Sequence, residues 1–114
     1  MIQIAIISKN LKVANFIENR ATSFKWIKCD TFCSLDTFFK SNVSDYKIVL
    51  IGRGVLEGYY MPEDGVDIVE WVSLVNPKAK VIFIPKRTFV CRKILNSLTQ
   101  KIFMQSLAIE AKSN

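Results

Sequence analysis

The sequence predicts one α/β domain, a doubly wound parallel sheet of four to five strands flanked by helices. Three short segments are nearly continuous apolar runs rich in β-branched residues, at positions 2–7, 46–52 and 81–84. Such runs are typical of strands that are buried on both faces. Amphipathic stretches separate them, and this alternation indicates βαβ units. With 114 residues, half of them hydrophobic, the chain has the size and composition of one compact domain.

The first third of the chain predicts two strands and two helices. After the first strand, Asn10 is a suitable N-cap for a helix over residues 11–21. Alternating aromatic residues and lysines then predict a partly exposed strand over 24–29. Ser34 is the expected N-cap of a short second helix that ends near Lys40.

The middle of the chain continues the alternation. The run 46–52 is the strongest buried-strand signal, and a glycine-bearing loop over 52–65 follows it. A helix over 66–75 should end at Asn76-Pro77, because proline disfavours helical backbone in the residue before it. The last of the three apolar runs is closed by Pro85.

The C-terminal segment, residues 86–114, admits two interpretations. Thr88 can cap a helix that extends to about Leu98. In the first interpretation, a short fifth strand at 101–104 and a final helical turn follow. In the second, the helix continues, because the apolar residues roughly keep the helical period and neither Gly nor Pro interrupts it.

The composition favours binding over catalysis. The chain has no histidine, which excludes Ser-His-Asp and Cys-His nucleophilic sites, imidazole acid–base catalysis and histidine-containing zinc sites. We therefore expect neither an enzyme nor a cofactor, and no catalytic or metal-binding residue is assigned.

The cysteines and the apolar segments indicate a reduced, cytoplasmic setting. The three cysteines are an odd number in a chain large enough to need no disulfide. Cys29 and Cys33 have a C-x₃-C spacing unlike that of most zinc sites, so buried structural thiols are favoured over a metal. The first apolar run lacks the basic segment of a signal peptide, and no apolar run approaches the length of a membrane span.

Basic residues dominate the last third of the chain. Residues 1–76 carry eight basic and nine acidic side chains, whereas residues 77–114 carry eight basic side chains against Glu110 alone. This asymmetry is typical of a surface for a polyanion or an acidic partner, although it also suits a solvated helix face. The candidate partner-binding residues in this part are Lys86, Arg87, Arg92 and Lys93.

A motif in the centre of the chain resembles that of a known protein family. The sequence runs Met61-Pro62-Glu63-Asp64-Gly65, then the helix 66–75, then Asn76-Pro77 and the strand 81–84. Together with the order of strands and helices, this phrase resembles the receiver domain of bacterial response regulators over residues 1–90. The resemblance implies a flavodoxin-like sheet in a single domain over residues 1–114, and a role in signal transduction.

Every position that carries the chemistry of receivers departs from the family pattern. The acidic pair expected after the first strand is Ser8-Lys9, the phosphoacceptor position falls on Gly52, and the Thr or Ser position after the fourth strand is Pro85. Aspartyl phosphorylation needs a carboxylate nucleophile and further carboxylates that hold Mg²⁺. The chain thus resembles a degenerate receiver, or pseudo-receiver, and we expect no phosphorylation by the mechanism of the family.

The loop over 52–65 is longer than the corresponding loop of receivers. It contains the adjacent residues Tyr59 and Tyr60, at the edge of the sheet where doubly wound folds place their sites. Two interpretations stay open: an exposed anchor for a partner, or a ring folded over the vacated acidic pocket. The glycines of this loop match a phosphate-binding turn only loosely, so a flexible insert is favoured over a nucleotide site.

These observations predict a non-enzymatic regulatory or adaptor protein that binds a protein partner independently of phosphorylation. The resemblance implies docking through the surface around the fifth strand of receivers. Homodimerisation through the C-terminal segment would cover the apolar stripe of its helix. The alternative function is a nucleic-acid-binding regulator that uses the basic C-terminal segment.

Overall fold

Four strands form one all-parallel sheet in the order β2-β1-β3-β4. The computed structural model that shows this sheet describes residues 1–56, 68–84 and 92–113. The strands are β1 (Ile2–Ile7), β2 (Ile27–Phe32), β3 (Ile48–Gly52) and β4 (Lys80–Ile84). The sheet confirms the predicted α/β fold, and its strand order is consistent with a flavodoxin-like domain.

Helices cover both faces of this sheet. They are α1 (Leu11–Ala21), α2 (Leu35–Phe39), α3 (Ile68–Val75) and α4 (Arg92–Ser113), with short 3₁₀ turns at Val43–Asp45 and Arg53–Leu56. One apolar layer contains α1 and α4, and the other contains α2 and α3. Among the described residues, no helix has both the length and the apolar character needed to cross a membrane.

The alternation of side chains along β1 explains why the central strands are apolar throughout. Ile4 and Ile6 enter the layer of α1 and α4, whereas Ala5 and Ile7 enter the layer of α2 and α3. All four side chains are fully buried. A strand covered on both faces cannot place a polar side chain in water on either side, so its sequence reads as one apolar run.

The second strand begins later than the sequence pattern predicts. β2 starts at Ile27, so the prediction of a strand over 24–29 is wrong in its boundaries. Phe24 and Trp26 lie in the turns before the strand and are partly buried against the layer of α4. Their alternation with lysines reflects contact with a distant helix and not strand pleating.

The C-terminal segment is one long helix from Arg92, so the second interpretation is confirmed and the predicted fifth strand at 101–104 is wrong. Leu95, Leu98 and Ile102 are buried against the same face of the sheet as α1. In the described part of the chain, β4 is therefore the last strand on its side of the sheet. The docking surface that receivers build around a fifth strand has no counterpart among these residues.

An aromatic cluster attaches α4 to the rest of the domain. The ring of Phe103 lies 4.4 Å from the ring of Phe24 and 6.0 Å from that of Trp26, measured between centroids. The indole Nε1 of Trp26 donates a hydrogen bond of 3.1 Å to the Oγ of Ser106, which is fully buried. The hydroxyl of Ser106 donates in turn to the carbonyl of Phe103 at 2.8 Å.

We expect Ser106→Ala to lower the free energy of unfolding by about 1–2 kcal/mol, because the indole N–H of Trp26 then loses its acceptor in a partly buried position. Urea denaturation followed by tryptophan fluorescence measures this loss. Thr99→Ala is the matched control on the same helix, because the Thr99 hydroxyl bonds only the carbonyl of Asn96 in its own helix. An equal loss in both variants would contradict the role of the Trp26–Ser106 bond.

A buried asparagine joins two of the connections that lead from helices into strands. The Asn76 side chain, 5% exposed, donates from Nδ2 to the carbonyl of Val43 at 3.0 Å and to that of Tyr46 at 2.5 Å. Its backbone N–H caps the end of α3 by donating to Val72 O at 2.7 Å. Asn76 does end the helix as predicted, and it also ties the turn before β4 to the turn before β3.

Candidate functional site

The centre of the sheet's carboxyl edge is the expected place for a site in this fold. The strand order reverses between β1 and β3, which are neighbours, and doubly wound folds bind ligands in the crevice outside such a point. Ser8 and Lys9 follow β1 directly, and Gly52 ends β3. Three of the predicted receiver-like positions therefore lie at this point of the sheet.

The hydroxyl of Ser8 is used to shape the turn into α1. Ser8 is 5% exposed, and its Oγ accepts a hydrogen bond of 3.1 Å from the backbone N–H of Asn10. Its own N–H donates to Phe32 O at 2.9 Å, which ties the end of β1 to β2. The Oδ1 of Asn10 then accepts from the N–H groups of Lys12 and Val13, which confirms the predicted N-cap.

The end of β3 is packed so tightly against the end of β1 that a side chain at Gly52 would require its neighbours to shift. A Cβ atom added at Gly52 would lie 3.2 Å from the carbonyl oxygen of Ile7 and 3.4 Å from Ser8 Oγ. A contact of 3.2 Å with backbone oxygen is tighter than carbon atoms normally make, and Gly52 itself is buried. The absence of a side chain at Gly52 is thus matched by tight packing around the place where one would lie.

The chemistry available at this point is limited to a hydroxyl and an ammonium group. Ser8, Lys9 and Gly52 contribute no carboxylate, and the Lys9 side chain is exposed to solvent. Within the described ranges, no three cysteine, aspartate or glutamate side chains come close enough together to hold a metal ion. The residues described here offer neither a carboxylate nucleophile nor an oxygen cage for Mg²⁺.

Several predicted site residues lie outside the described residues. They are Tyr59, Tyr60, Pro85, Lys86 and Arg87. Arg92 is the first residue of α4, and the Lys93 side chain in its first turn is exposed. Both interpretations of the tyrosine pair and the proposed grouping of the four basic residues therefore stay predictions.

The two described cysteines have opposite environments. Cys29 is buried in β2, whereas Cys33 is exposed just after that strand, and both are free thiols. Burial, together with the smaller effects of the negative charges of Glu18 and Asp30, raises the pKa of the Cys29 thiol to about 12. At neutral pH the thiolate of Cys29 is therefore a negligible fraction, and this cysteine acts as a small apolar core residue.

We expect a thiol reagent to modify Cys33 rapidly and Cys29 only after unfolding. A Cys91→Ser background removes the third thiol, which lies outside the described residues. In that background, reaction with an aromatic disulfide at about pH 8 should count one thiol in buffer and two in denaturant, because the thiolate is the attacking form. Adding Cys33→Ser should abolish the reaction in buffer, and rapid modification of Cys29 in the folded protein would contradict its burial.

An apolar surface on α3 is the feature that the sequence pattern did not reveal. The side chains of Val69 and Val75 are 36% and 50% exposed, and that of Leu74 is 74% exposed. Only Ile68 and Val72 are buried. The signal was present, because six of the eight residues of this helix are apolar, more than one buried face requires.

A concave surface adjoins these exposed side chains. It has a volume of about 380 Å³ and is lined, among the described residues, by Val69, Glu70, Ser73 and Leu74. We call this the α3 surface. No protein-family model, curated protein or solved structure matches the chain.

Proposed function

We propose that the protein is a pseudo-receiver, a non-enzymatic regulatory or adaptor protein that acts by binding a protein partner without phosphorylation. The observation that carries the proposal is the close contact between Gly52 and the end of β1, 3.2 Å from a would-be Cβ to the carbonyl of Ile7. It occurs at the point of the sheet where a receiver would hold its phosphoacceptor. A receiver-like frame whose reactive position is closed retains only its surfaces for function.

The strand order and the polar groups at this point support the same proposal. The order β2-β1-β3-β4 is that of the first four strands of a flavodoxin-like sheet. The hydroxyl of Ser8 forms hydrogen bonds with the backbone of Asn10 in the turn into α1, so it is not positioned as a nucleophile. Its neighbours Lys9, Asn10 and Gly52 provide neither a carboxylate nor an imidazole that could act as its general base.

The α3 surface supports a protein as the partner. Exposed aliphatic side chains beside a concave surface are typical of sites that receive an apolar side chain of another protein. Leu74 is the most exposed of them, and it lies on an ordered helix that is anchored by the buried residues Ile68 and Val72. The occupant that fits this surface is an apolar side chain presented by a partner protein.

Incubation with acetyl phosphate and Mg²⁺ tests the absence of receiver chemistry. Intact-protein mass spectrometry should show no phosphorylated species, and Mg²⁺ should leave the thermal unfolding midpoint unchanged. A stoichiometric, base-labile phosphate adduct on an aspartate would overturn the proposal.

The partner-binding part of the proposal has its own test. Tagged protein is used to recover partners from the native host, and each recovered protein is purified and titrated against the chain. Leu74→Glu should weaken binding at least tenfold, whereas Leu11→Glu, which places the same charge at a 66% exposed site on α1, should leave it unchanged. Equal effects of the two substitutions would remove the α3 surface from the proposal.

Two further parts of the proposal concern compartment and assembly. Free thiols at Cys29 and Cys33 fit a reducing, cytoplasmic setting. A homodimer through α4 would cover Met104 and Leu107, the exposed apolar side chains of that helix. Multi-angle light scattering of the wild type and Met104→Glu tests the dimer, and a monomeric wild type at micromolar concentration would exclude it.

A further inference from the structure

Every described connection that leads from a helix into a strand carries basic side chains. Because all strands are parallel, these connections lie together at the edge of the sheet from which the strands start, opposite the carboxyl edge. We name this group the basic edge. Its members are Arg20 in the last turn of α1, Lys25 between α1 and β2, Lys40 and Lys47 between α2 and β3, Lys78 between α3 and β4, and Lys80 at the start of β4.

These side chains are available for a partner. Five of them are exposed and Lys47 is half-buried. The acidic side chains described at this edge are Glu18 and Asp45, so basic groups outnumber acidic ones three to one. Arg20 lies over the ring of Phe16, with its guanidinium carbon 5.0 Å from the ring centroid, and none of the six forms an ion pair with another described residue.

The helix dipole accounts for only part of this arrangement. Basic residues are favoured near the C-terminus of a helix, which explains Arg20 in the last turn of α1 and Lys40 at the C-cap of α2. Lys25, Lys47 and Lys80 lie outside the helices, at or just before the first residues of three strands. The dipole does not favour a lysine at those positions, so a second reason is needed for three of them at one edge.

The three strand-start lysines lie along one edge of the sheet, and we call them the lysine row. Lys80 pairs in register with Ile48, and its N–H bonds the carbonyl of Lys47, which places these two lysines on adjacent strands. Because Lys80 is in register with Ile48, the residue after Lys47, the side chains of Lys47 and Lys80 lean toward opposite faces of the sheet at this edge. Lys25 precedes β2, and β2 lies two strand positions away from β3 in the sheet. With strands about 4.8 Å apart, the row is roughly 15 Å long, over which one strand of a duplex presents about four phosphates.

The aromatic residues near this row are turned inward. Tyr46 is buried, and its hydroxyl donates to Asp30 Oδ2 at 2.8 Å, while Phe24 and Trp26 pack on Phe103. Protein interfaces are depleted in lysine and rely on exposed aromatic anchors, and single-stranded nucleic acids are held by exposed rings. A lysine row without exposed rings fits phosphates best.

We propose that the basic edge binds the phosphate backbone of a double-stranded nucleic acid without reading its sequence. This activity lies at the opposite edge of the sheet from the closed receiver-like position, and it does not depend on the proposed function. It also uses other residues than the C-terminal basic segment that the sequence indicates for nucleic-acid binding. Contact with phosphates alone gives binding that is strongly salt-dependent.

Fluorescence anisotropy with labelled duplexes of about 20 base pairs, one of DNA and one of RNA, tests the proposal at about 50 and 200 mM salt. The test variant combines Lys25→Gln, Lys47→Gln and Lys80→Gln. The control combines Lys9→Gln, Lys12→Gln and Lys101→Gln, which removes the same charge from exposed sites outside the basic edge and outside the four candidate residues of the C-terminal segment. Circular dichroism verifies that both variants are folded.

We expect the wild type to bind at least one duplex at the lower salt, and the test variant to bind it about tenfold more weakly. The slope of log K against log salt should fall by about 2–3 in the test variant, one unit for each lost phosphate contact, and by less than one in the control. Binding to neither duplex, or an equal loss in both variants, would overturn the proposal. Tighter binding of poly-L-glutamate than of either duplex would overturn it in favour of an acidic protein partner.

Discussion

Gly52→Asp should lower the free energy of unfolding by about 2–4 kcal/mol and should not make the protein a phosphoacceptor. The new Cβ would lie 3.2 Å from the carbonyl oxygen of Ile7, and backbone in the centre of a sheet cannot move aside easily. The carboxylate would also be placed at a buried position next to the carbonyl of Ile7 and the hydroxyl of Ser8. An acid there is poorly solvated and faces an electron-rich oxygen, which adds to the steric cost.

Gly54→Asp is the matched control for this substitution. A Cβ at Gly54 meets no atom within 4 Å, so the same change two residues later should alter stability by no more than about 0.5 kcal/mol. Chemical denaturation compares the two variants, and mass spectrometry after acetyl phosphate treatment checks for phosphorylation. Equal stability of the two variants, or an aspartyl phosphate at position 52, would contradict the closed geometry at the end of β3.

Local sequence signals predicted β1, α1, β3 and β4 because those signals determine the structure there. Asn10 caps α1 through its own side chain, and the apolar runs are covered on both faces by helices. The start of β2 was misplaced because its cause is remote. Trp26 lies where it does because it bonds Ser106, eighty positions further along the chain. A window of neighbouring residues contains no information about such a contact.

The C-terminal segment shows the same limit in another form. Residues 101–104 have the apolar character of a short strand, and the sequence left strand and helix open. The helix is favoured because Leu98, Ile102 and Ser106 follow one another at its period on the buried side, where Ile102 is 1% exposed. The choice between strand and helix depends on the sheet face against which these side chains pack, and that face is formed by earlier parts of the chain.

The candidate site was only half predictable. The sequence identified Gly52 as a position without a reactive side chain, but the contact with Ile7 and Ser8 depends on the register between β1 and β3. The basic edge was missed for a related reason. Counting charge by segment assigns the whole excess of basic residues to residues 77–114. The parallel topology, however, brings Lys25 and Lys47 from the first half of the chain to the same edge of the sheet as Lys80.

Asn76→Ala should cost about 3 kcal/mol of stability, which makes it the largest effect expected from removing a single polar side chain outside the strands. The substitution leaves the carbonyls of Val43 and Tyr46 without the amide donor that now reaches both. Buried carbonyls that lose their partner retain the cost of desolvation, and deletion of the amide adds a small cavity. Asn42→Ala is the control, because Asn42 is exposed and its side chain caps nothing.

Asn76→Asp separates the loss of hydrogen bonds from the loss of packing. It keeps the shape of the side chain but turns an acceptor toward two carbonyl oxygens, which should raise the pKa of the introduced carboxyl above the value of about 3.9 in the unfolded chain. The protonated form can donate one hydrogen bond and is favoured in the folded state. Its stabilisation is complete below the unfolded pKa and is lost as the pH rises through the folded pKa.

The deficit of Asn76→Asp relative to wild type should therefore shrink on acidification toward pH 4, while the deficit of Asn76→Ala stays constant. Urea denaturation of the three proteins across this pH range measures both. Parallel curves for the two variants would mean that the amide acts by filling space and not by donating to Val43 and Tyr46. Because Asn76 ties the turn before β4 to the turn before β3, its loss should also loosen the spacing between Lys47 and Lys80. Duplex binding should then weaken in Asn76→Ala even without denaturant and at low temperature, where the protein is fully folded.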